Sequence, residues 1–377
     1  MEAKSLQAYS IPEITNKLEE VLQSGYQPTL AFIFSSIAHD IPTLSNVFTQ
    51  HNIDIAGGTT CGEFADDEIF EKSIVVMLTD MNKDNYRIYF EEVNGYAGSF
   101  EAGRTLATYS KKEFSTPAYI SMLSLNINGE SLVDGIYDVL KEDFSIFGGM
   151  AGDDATMVTT YTFTNGKSAN NGLITVIIDT DKVAVKGLAI SGWEPLGGSN
   201  LITKAEGNVI YTINEKPALD MFKAFFGEYH SVNDDDGTVA IATAQYPIQI
   251  KRKDGYVLRA PLNANEEDGS LIMAGPIKEG EEFRFSIAPG FEIIEETIDG
   301  FKTFKDINGD ADALILFSCM ARHLSLGPLV EQEIEGINDL WDAPLAGFFT
   351  YGEIGSNIKG ASYYYNETCS LVTLKEI

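Results

Sequence analysis

The feature that most constrains the fold of this chain is an internal repeat. Residues 56–64 read AGGTTCGEF, and residues 346–354 read AGFFTYGEI. Both stretches fit the pattern A-G-x-x-T-x-G-E followed by an apolar residue. An apolar run of strand length precedes each copy, Leu30 to Ser35 in the first and Ala313 to Ser318 in the second. Such repetition predicts that the chain builds similar supersecondary units more than once.

The segments around the motif indicate what one unit contains. An amphipathic stretch follows each apolar run, at Ile41 to Gln50 and at Pro328 to Leu340, and a β-rich run follows each motif, at Ser73 to Leu78 and at Ser370 to Leu374. Continuous apolar strands that alternate with helices are typical of sheets covered by helices. Each unit is therefore predicted to contain a strand, a helix, a strand that ends in a Gly-rich turn, and a further strand.

A third and looser copy lies between these two. Tyr119 to Leu125 is strand-like, Gly129 to Asp143 has helical periodicity, and residues 146–153 read IFGGMAGD, with Asp153 in place of the glutamate. The middle of the chain consists mainly of short β runs and turns. We therefore predict a mixed α/β fold, with pseudo-symmetric duplicated β-α-β units in two halves and a β-rich middle insertion.

Charge and length limit the classes of partner. The chain has 377 residues, enough for two or three domains, and 56 acidic against 26 basic residues give a formal net charge of −30. A surface this acidic repels phosphate backbones, which argues against nucleic acid and anionic lipid as partners. The chain shows no signal-peptide pattern, and no apolar run approaches the roughly 20 residues that span a membrane. We expect a soluble, cytoplasmic protein with no membrane insertion.

The motifs together resemble the FIST family, a sensory module with an N-terminal and a C-terminal part. The resemblance of the first part rests on Gly57 to Glu63, on Phe147 to Asp154 and on the strand that ends at Ser35. The resemblance of the second part rests on six further stretches, which are Gly192 to Pro195, Pro217 to Leu219, Tyr256 to Arg259, Phe317 to Arg322, Ala346 to Gly355, and Asn366. It implies a FIST N-terminal domain over 28–192, a boundary region over 193–216 and a FIST C-terminal domain over 217–377.

The resemblance also implies a function. FIST proteins are bacterial and eukaryotic signal-input modules proposed to sense small ligands such as amino acids, and they are often fused to, or encoded beside, kinases or cyclases. Some similar proteins bind haem and respond to nitric oxide. We expect a sensory protein rather than an enzyme, which binds a small polar metabolite and signals to a separate histidine kinase or cyclase.

The Gly-rich turns are the candidate ligand site. Glycines let the backbone approach a ligand, and the N–H groups of such a turn can hold an anion, while a carboxylate beside them suits an ammonium group. An amino acid or another zwitterion would fit both. The same residue types also build turns for geometry alone, with the glutamate capping N–H groups of its own loop. The candidate ligand-binding residues are Gly57, Gly58, Thr60, Cys61 and Glu63 in the first turn, and Thr350, Tyr351 and Glu353 in the second.

Arg322 is a further candidate, because it follows the apolar strand that begins at Ala313. A guanidinium group at this place could bind a ligand carboxylate in a bidentate manner. The alternative is an ion pair with one of the many acidic residues of the chain.

His39 and His323 support an alternative function. They lie five and six residues after Phe34 and Phe317, at similar places in the two repeats. Either imidazole could be an axial ligand of haem in a nitric oxide sensor. No CxxCH is present, which excludes covalently attached haem of the c type. Apart from haem, no cofactor and no metal site are expected.

The cysteines offer a third and weaker hypothesis. Cys61 and Cys319 lie near the ends of predicted strands, and His323 lies four residues after Cys319, so a Cys-dependent hydrolase is one interpretation. A small buried thiol is the other. The odd count of three cysteines, without any CxxC pair, argues against a disulfide framework or a structural zinc site.

Overall fold

The structure is a computed structural model, and it describes residues 1–141, 144–226, 246–288 and 290–377. Seven of the helices in the described residues lie against the outer faces of three similar β-sheets, while a fourth sheet contains most of the middle of the chain and packs against the remaining helix, α5. The helices are α1 (Ile11–Gln23), α2 (Ile41–Thr49), α3 (Gly95–Glu113), α4 (Gly129–Leu140), α5 (Ala218–Phe226), α6 (Glu292–Asn308), α7 (Met320–Leu326) and α8 (Leu329–Asn338).

In the part of the chain that the structure describes, three sheets have six strands each. Across sheet 1 the order is β1 (Ala3–Ala8), β6 (Ile74–Thr79), β2 (Leu30–Ser35), β3 (Asp54–Thr59), β10 (Thr162–Thr164) and β11 (Lys167–Ala169). Across sheet 2 the order is β7 (Tyr86–Glu92), β12 (Gly172–Asp179), β8 (Pro117–Leu123), β9 (Ser145–Met150), β24 (Glu353–Ser356) and β25 (Ser362–Tyr365). Across sheet 3 the order is β13 (Val183–Ile190), β26 (Cys369–Glu376), β22 (Ala313–Cys319), β23 (Leu345–Thr350), β4 (Glu63–Ala65) and β5 (Glu68–Phe70).

The fourth sheet is antiparallel and has its own hydrophobic core, which includes Ile250, Phe283 and Phe285. Its strands run in the order β18 (Gly255–Arg259), β17 (Ile248–Arg252), β21 (Glu282–Ile287), β14 (Glu194–Glu206), β15 (Val209–Ile213), β20 (Ser270–Met273) and β19 (Pro261–Asn265), with β16 (Lys216–Pro217) beside β15. This sheet is the β-rich middle that the sequence predicts.

Sheets 1, 2 and 3 share one plan. A parallel pair lies at the centre of each, β2 with β3, β8 with β9, and β22 with β23, and helices connect the two strands of each pair. On its other side, the first strand of each pair has an antiparallel neighbour, which is β6 beside β2, β12 beside β8 and β26 beside β22. The plan therefore occurs three times, not only in two halves. Whether the units arose by duplication stays a prediction.

Each sheet is completed by a hairpin that comes from another unit. The hairpin β4–β5 follows β3 in the chain but pairs with β23 of sheet 3. In the same way, β10–β11 follows β9 and pairs with β3 of sheet 1, and β24–β25 follows β23 and pairs with β9 of sheet 2. The three units thus exchange hairpins in a cycle, which ties the N-terminal and C-terminal parts of the chain together.

This exchange explains one glycine of the motif. Phe163 of β10 lies opposite Gly57, and Phe64 of β4 lies opposite Gly347. A Cβ atom at Gly57 or at Gly347 would come within 2.2 Å of the ring of its partner. The incoming aromatic side chain therefore needs a residue without a side chain beneath it.

The inner faces of the three sheets form a common hydrophobic core. Phe34, Phe317 and Phe348 come from sheets 1 and 3 and are fully buried, and the ring of Phe348 lies 5.0 Å from that of Phe34 and 5.7 Å from that of Phe317. Met122 and Phe147 of sheet 2 join the same cluster. Because helices cover the outer faces, the central strands are buried on both sides, which explains their continuous apolar sequences.

Helix starts follow local sequence signals. The side chain of Asp40 accepts a hydrogen bond from the N–H of Thr43 (2.9 Å) at the start of α2, and Asn128 accepts one from Ser131 (3.0 Å) at the start of α4. These N-caps satisfy N–H groups that the helix itself leaves free.

An ionic cluster joins α4 to the fourth sheet. Glu130 lies 2.5 Å from Arg259, 3.2 Å from Arg252 and 3.1 Å from Lys278. Burial alone would raise the pKa of Glu130, but these cations outweigh burial and lower the pKa to about 2. The cluster holds the middle of the chain against sheet 2.

The mixed α/β fold is confirmed, and several predicted segments match closely. Leu30–Ser35 is β2, and the predicted strand at Ala313 is β22. The predicted helix over Ile41 to Gln50 is α2, and that over Pro328 to Leu340 is α8. Within the described residues, every helix is too short or too polar to cross a lipid bilayer.

Candidate functional site

The three Gly-rich turns lie together at the carboxyl ends of β3, β9 and β23. Ligand sites of α/β sheets usually lie at this end of the strands. Backbone hydrogen bonds connect each turn to a neighbouring unit, from Cys61 N–H to the carbonyl of Phe349 (3.0 Å), from Gly152 N–H to that of Thr59 (2.7 Å), and from Met150 N–H to that of Gly352 (2.7 Å).

Glu63 in the first turn is fully buried and hydrogen-bonded within the protein. Its carboxylate accepts from the hydroxyl of Thr60, from the N–H of Ser73 (3.0 Å) and from the hydroxyl of Ser73 (2.7 Å). Ser73 directly precedes β6, so the carboxylate fixes the start of that strand. Burial raises the pKa of Glu63 to about 7, although the hydrogen bonds act in the opposite direction.

Glu353 in the second turn repeats this arrangement. Its buried carboxylate accepts from the hydroxyl of Thr350, and from the N–H (3.3 Å) and hydroxyl (2.9 Å) of Thr368, which directly precedes β26. Burial raises the pKa of Glu353 to about 8. The T-x-x-E pattern therefore builds the same internal contact twice, and each carboxylate has its partners within its own unit.

The third unit differs from what the sequence suggests. The exchanged hairpin places one residue at the same position in each sheet. This residue is Glu63, opposite Phe348, in sheet 3 and Glu353, opposite Gly149, in sheet 2. In sheet 1 it is Thr162, opposite Gly58. Thr162, rather than Asp153, thus occupies the glutamate position in sheet 1. Its hydroxyl is buried and has no hydrogen-bond partner among the described residues.

Arg322 lies in α7 with its guanidinium group fully buried. It forms an ion pair with Glu333 of α8, with Nε 3.0 Å from Oε2, and it donates to the hydroxyl of Thr297 (2.9 Å) and to the carbonyl of Ser191. The group also lies over the ring of Trp193 at 5.3 Å. The structure therefore shows an internal ion pair, and these contacts use the donors that a ligand carboxylate would need.

Asp153 organises the turn after β9. Its carboxylate accepts hydrogen bonds from four groups of the next six residues, which are the hydroxyl of Thr156 (2.8 Å) and the N–H groups of Met157 (2.8 Å), Val158 (2.6 Å) and Thr159 (2.9 Å). Burial alone would raise the pKa of Asp153, but the hydrogen bonds from Tyr351 and from these groups lower it. The ionised carboxylate is thus the centre of the turn.

The same turn stores backbone strain. Asp154, Ala155 and Met157 have φ values of +53°, +65° and +53°. Left-handed conformations are costly for residues other than glycine and are frequent at ligand clamps and switch segments. The bonds to Asp153 hold this segment in place.

Tyr351 connects the second turn to this segment. Its hydroxyl donates to Asp153 and accepts from the N–H of Met157 (3.1 Å), and it also interacts with the thiol of Cys61. Burial is the main cause that raises the pKa of Tyr351, so the phenol stays protonated and acts as a donor. One side chain thus contacts all three turns.

A cavity of about 120 Å³ lies beside Tyr351. The carboxyl ends of β8, β9, β22 and β23 lie around it, and the start of β19 in the fourth sheet lies on another side. Its walls are mainly apolar, and the lining residues include Met150, Met157, Pro261, Leu262, Met320 and Leu324, together with the polar residues Cys319, Thr350, Tyr351 and Asn366. For comparison, a dry cavity of about 150 Å³ binds benzene.

The sequence-predicted site residues divide into two groups at this cavity. Thr350 and Tyr351 line it, and Glu353 lies directly behind Thr350. Cys61 touches Tyr351, so it contacts the cavity wall from outside. The other candidates do not belong to the lining, and these are Gly57, Gly58, Thr60, Glu63 and Arg322. Their role in ligand binding stays a prediction.

The two histidines lie elsewhere. The Nε2 atom of His39 lies 3.2 Å from the carbonyl of Lys72, and the ring of His323 stacks on Phe349 with 4.2 Å between centroids. Burial lowers the pKa of His323. Neither imidazole is among the residues that line the cavity. Haem binding stays a prediction.

Burial does not favour the thiolate form of the cysteines, which nucleophilic chemistry requires. Burial raises the pKa of Cys61 to about 11, and it raises the pKa of Cys319 and Cys369 well above their ordinary values. A nucleophilic cysteine needs a lowered pKa, because the thiolate is the reactive form. Cys319 contributes a neutral, weakly polar surface to the cavity wall instead.

Sequence reasoning did not identify Asp153 and Asn366 as residues of the site. Asp153 had a usable signal, because Asp followed by Thr three residues later is typical of a side chain that bonds its own turn. Asn366 belongs to the residues that carry the family resemblance, but its place in the cavity wall depends on distant segments that form the cavity around it.

Comparison with known proteins agrees with this organisation. The family model described as FIST N domain matches residues 29–216, and the model described as FIST C domain matches residues 218–356. An uncharacterized protein of Mycobacterium bovis and another of Mycobacterium tuberculosis are each 23% identical to the chain over 190 residues. The match covers 48% of this chain and 48% of each relative, so the chain spans about half the length of the curated relatives it matches.

The two family models together cover most of the chain, from the first central strand, β2, to the end of β24. FIST domains are sensory modules thought to bind small ligands in signalling proteins. The exchanged hairpins and the cavity lie within the matched residues or directly beside them. The chain belongs to the FIST family, with a FIST N and a FIST C domain.

Proposed function

We propose that this chain senses a small metabolite in the cavity beside Tyr351 and passes the signal to a separate output partner, such as a histidine kinase or a cyclase. The observation that carries the proposal is the position of the cavity. Residues of the FIST N match, such as Met150, and residues of the FIST C match, such as Cys319 and Tyr351, line it together. A ligand would therefore contact both domains at once.

The strained turn provides the readout. Met157 lines the cavity and is 43% exposed, and Val158 beside it is 77% exposed. A ligand that moves Tyr351 or Met157 changes the contacts of Asp153, and with them the conformation of an exposed segment. Such a ligand shifts the equilibrium between two conformations by its difference in affinity for them.

Amino acids and related metabolites are the first ligand class to test, as expected for the family. A thermal-shift screen of the purified protein with individual amino acids and their derivatives is the experiment. A ligand that binds only the folded state raises the melting temperature, because binding adds RT ln(1 + [L]/Kd) to the free energy of unfolding.

Ala321→Phe locates the site. Ala321 lines the cavity, so the larger side chain should fill it and abolish the ligand-induced shift. Ala97→Phe is the matched control, because Ala97 is exposed on α3 and is not part of the lining. A ligand whose shift survives Ala321→Phe in a folded protein binds elsewhere, and the proposed site is then wrong.

A further inference from the structure

The cavity beside Tyr351 offers a ligand no charged side chain. Most of its lining residues are apolar, and those that the structure describes include no aspartate, glutamate, lysine, arginine or histidine. Arg322, which follows Ala321 of the wall, is paired with Glu333. An ion that left water for this cavity would lose its hydration without gaining a charged side chain as partner.

The acidic groups behind the wall do not change this balance. Burial raises the pKa of Glu353 to about 8, so this carboxyl group is largely protonated at neutral pH. Asp153 is ionised, but its carboxylate already accepts from Tyr351 and from four groups of its own turn. Neither group is left to pair with a ligand cation.

The polar side chains of the lining are mostly engaged within the protein. The hydroxyl of Thr350 and the thiol of Cys319 are hydrogen-bonded to Glu353. The hydroxyl of Tyr351 donates to Asp153. These three side chains therefore contribute mainly van der Waals contact to a bound molecule.

Asn366 is the exception among the polar residues of the wall. It is 1% exposed, and its Nδ2 donates to the carbonyl of Tyr351 (3.3 Å), which fixes the orientation of the amide. Its Oδ1 has no hydrogen-bond partner among the described residues. A buried amide oxygen without a donor costs free energy, so this position favours a molecule that brings one.

We propose that the cavity selects a small uncharged molecule with a compact apolar body and one hydroxyl group, which donates a hydrogen bond to Oδ1 of Asn366. The methionine, leucine and alanine side chains of the wall contact the apolar body. The volume of about 120 Å³ limits the ligand to roughly the size of benzene. This inference rests on the proposed function and narrows its ligand class, because the two charges of an amino acid find no charged side chain in the lining.

A ligand series on the unmodified protein tests the inference. Cyclopentanol and cyclopentanone share one ring and nearly one volume, but only the alcohol donates a hydrogen bond. Cyclopentylamine places a cation on the same ring, cyclobutanecarboxylic acid supplies an anion of similar size, and proline carries both charges. Titration calorimetry at neutral pH measures the five affinities.

The expected order places cyclopentanol first. It should bind about threefold to tenfold more tightly than cyclopentanone, as expected for one hydrogen bond between uncharged groups, and at least tenfold more tightly than the three charged molecules. Equal affinities for the alcohol and the ketone would mean that the ligand does not bond to Oδ1, and the inference would be wrong. Tighter binding of any charged molecule would also overturn it.

Asn366→Leu tests the residue, because it removes the acceptor and nearly keeps the volume. The preference for the alcohol over the ketone should disappear, and this ratio is a readout that a merely structural role would not change. Asn308→Leu is the matched control. The Nδ2 of this exposed residue at the end of α6 also donates to a carbonyl, that of Phe304 (2.8 Å), and Asn308 is not part of the lining.

The control should keep the ratio of the unmodified protein. An unchanged ratio in a folded Asn366→Leu protein would show that the amide does not select the ligand. Circular dichroism melting identifies a variant that fails to fold, and the ligand series on the unmodified protein then decides alone.

The cavity-filling variant separates this inference from the proposed function. If a charged molecule binds most tightly and Ala321→Phe abolishes its binding, the cavity is a ligand site but the uncharged ligand is wrong. If cyclopentanol binds equally well to Ala321→Phe, both the site and the inference are wrong. If no member of the series binds, the inference is wrong, and the thermal-shift screen alone tests the proposed function. Loss of cyclopentanol binding in Ala321→Phe, together with loss of the alcohol preference in Asn366→Leu, supports both.

Discussion

The hydroxyl of Tyr351 donates a hydrogen bond to the carboxylate of Asp153, which lies 198 positions earlier in the chain. Asp153 in turn accepts from the N–H groups of Met157, Val158 and Thr159. One phenol at the cavity wall therefore helps to hold a strained and exposed segment. A change at the cavity can reach the surface through this single contact.

Tyr351→Phe should loosen this segment without unfolding the protein. The variant removes one hydrogen bond to a carboxylate and leaves the N–H of Met157 with one partner fewer, so we expect a loss of about 1–3 kcal/mol of local stability. Native-state hydrogen exchange at Val158 and Thr159 is the measurement, because local opening sets their exchange rates. The exchange should become faster in the variant.

Tyr256→Phe is the control for this prediction, since Tyr256 is 51% exposed in the fourth sheet. It should leave the exchange rates at Val158 and Thr159 unchanged. Equal rates in the wild type and in Tyr351→Phe would show that the phenol does not hold the segment.

Glu63 should make the protein less stable as the pH rises. Burial raises its pKa from an ordinary value of 4.5 to about 7, so the folded protein holds a proton that the unfolded chain releases near pH 4.5. The stabilising contribution is fully present below pH 4.5 and is lost as the pH rises through about 7. One pKa unit corresponds to about 1.4 kcal/mol, so the loss is about 3 kcal/mol.

Urea unfolding of the wild type and of Glu63→Gln over this pH range is the test. The glutamine cannot ionise, so the free energy of unfolding of the variant should fall less steeply than that of the wild type. Glu335→Gln, at an exposed position, should follow the wild type. Parallel curves for the wild type and Glu63→Gln would contradict the prediction. For Glu353→Gln we expect the same behaviour with the range extended to about pH 8.

Glu130 should have the opposite pH dependence. The cations around it lower its pKa from 4.5 to about 2, so its ion pairs contribute stability above pH 4.5 that is lost as the pH falls through about 2. The expected contribution is about 3 kcal/mol. Unfolding measurements from about pH 6 to pH 2 should show a steeper acid loss in the wild type than in Glu130→Gln. A variant that loses stability as steeply as the wild type would show that Glu130 does not titrate in this way.

Thr350 and Thr162 should respond differently to the same substitution. The hydroxyl of Thr350 donates to Glu353, whereas the hydroxyl of Thr162 has no partner among the described residues. Thr350→Val leaves a buried carboxylate without one donor and should cost about 1–3 kcal/mol. Thr162→Val keeps the shape and removes an unused polar group, so we expect a change of less than about 1 kcal/mol. Chemical denaturation measures the free energy of unfolding of both variants. Equal losses would show that the hydrogen bond from Thr350 to Glu353 does not contribute to stability.

The elements that the sequence predicted well are those with purely local causes. The strand at Leu30–Ser35 and the strand that begins at Ala313 are buried on both faces, so an unbroken apolar run identifies them. The helix at Ile41–Thr49 begins at an aspartate cap with proline in its first turn, which is also a local signal. These features need no knowledge of the rest of the chain.

The exchanged hairpins could not be predicted in this way. Phe64 pairs with Gly347, and no local pattern in either segment specifies a partner at that distance in the chain. The meaning of Arg322 also depends on tertiary structure. In the sequence, a guanidinium group after a strand suits a ligand carboxylate as well as it suits an acidic residue of the chain. Only the packing of α8 brings Glu333 against it. The cavity is missed for the same reason, because segments from three sheets form its walls.

The cyclic exchange of hairpins has a consequence for biosynthesis. Sheet 1 can close once residues up to Ala169 have left the ribosome, because all its strands precede that point. Sheet 2 must wait for β24 and β25, and the hairpin β4–β5 must wait for β23, close to the end of the chain. An open strand edge recruits other chains, and contacts this distant in sequence form slowly. A nascent chain halted near residue 216 would therefore expose the edge of β9 and an unpaired hairpin until β23 and β24 are made.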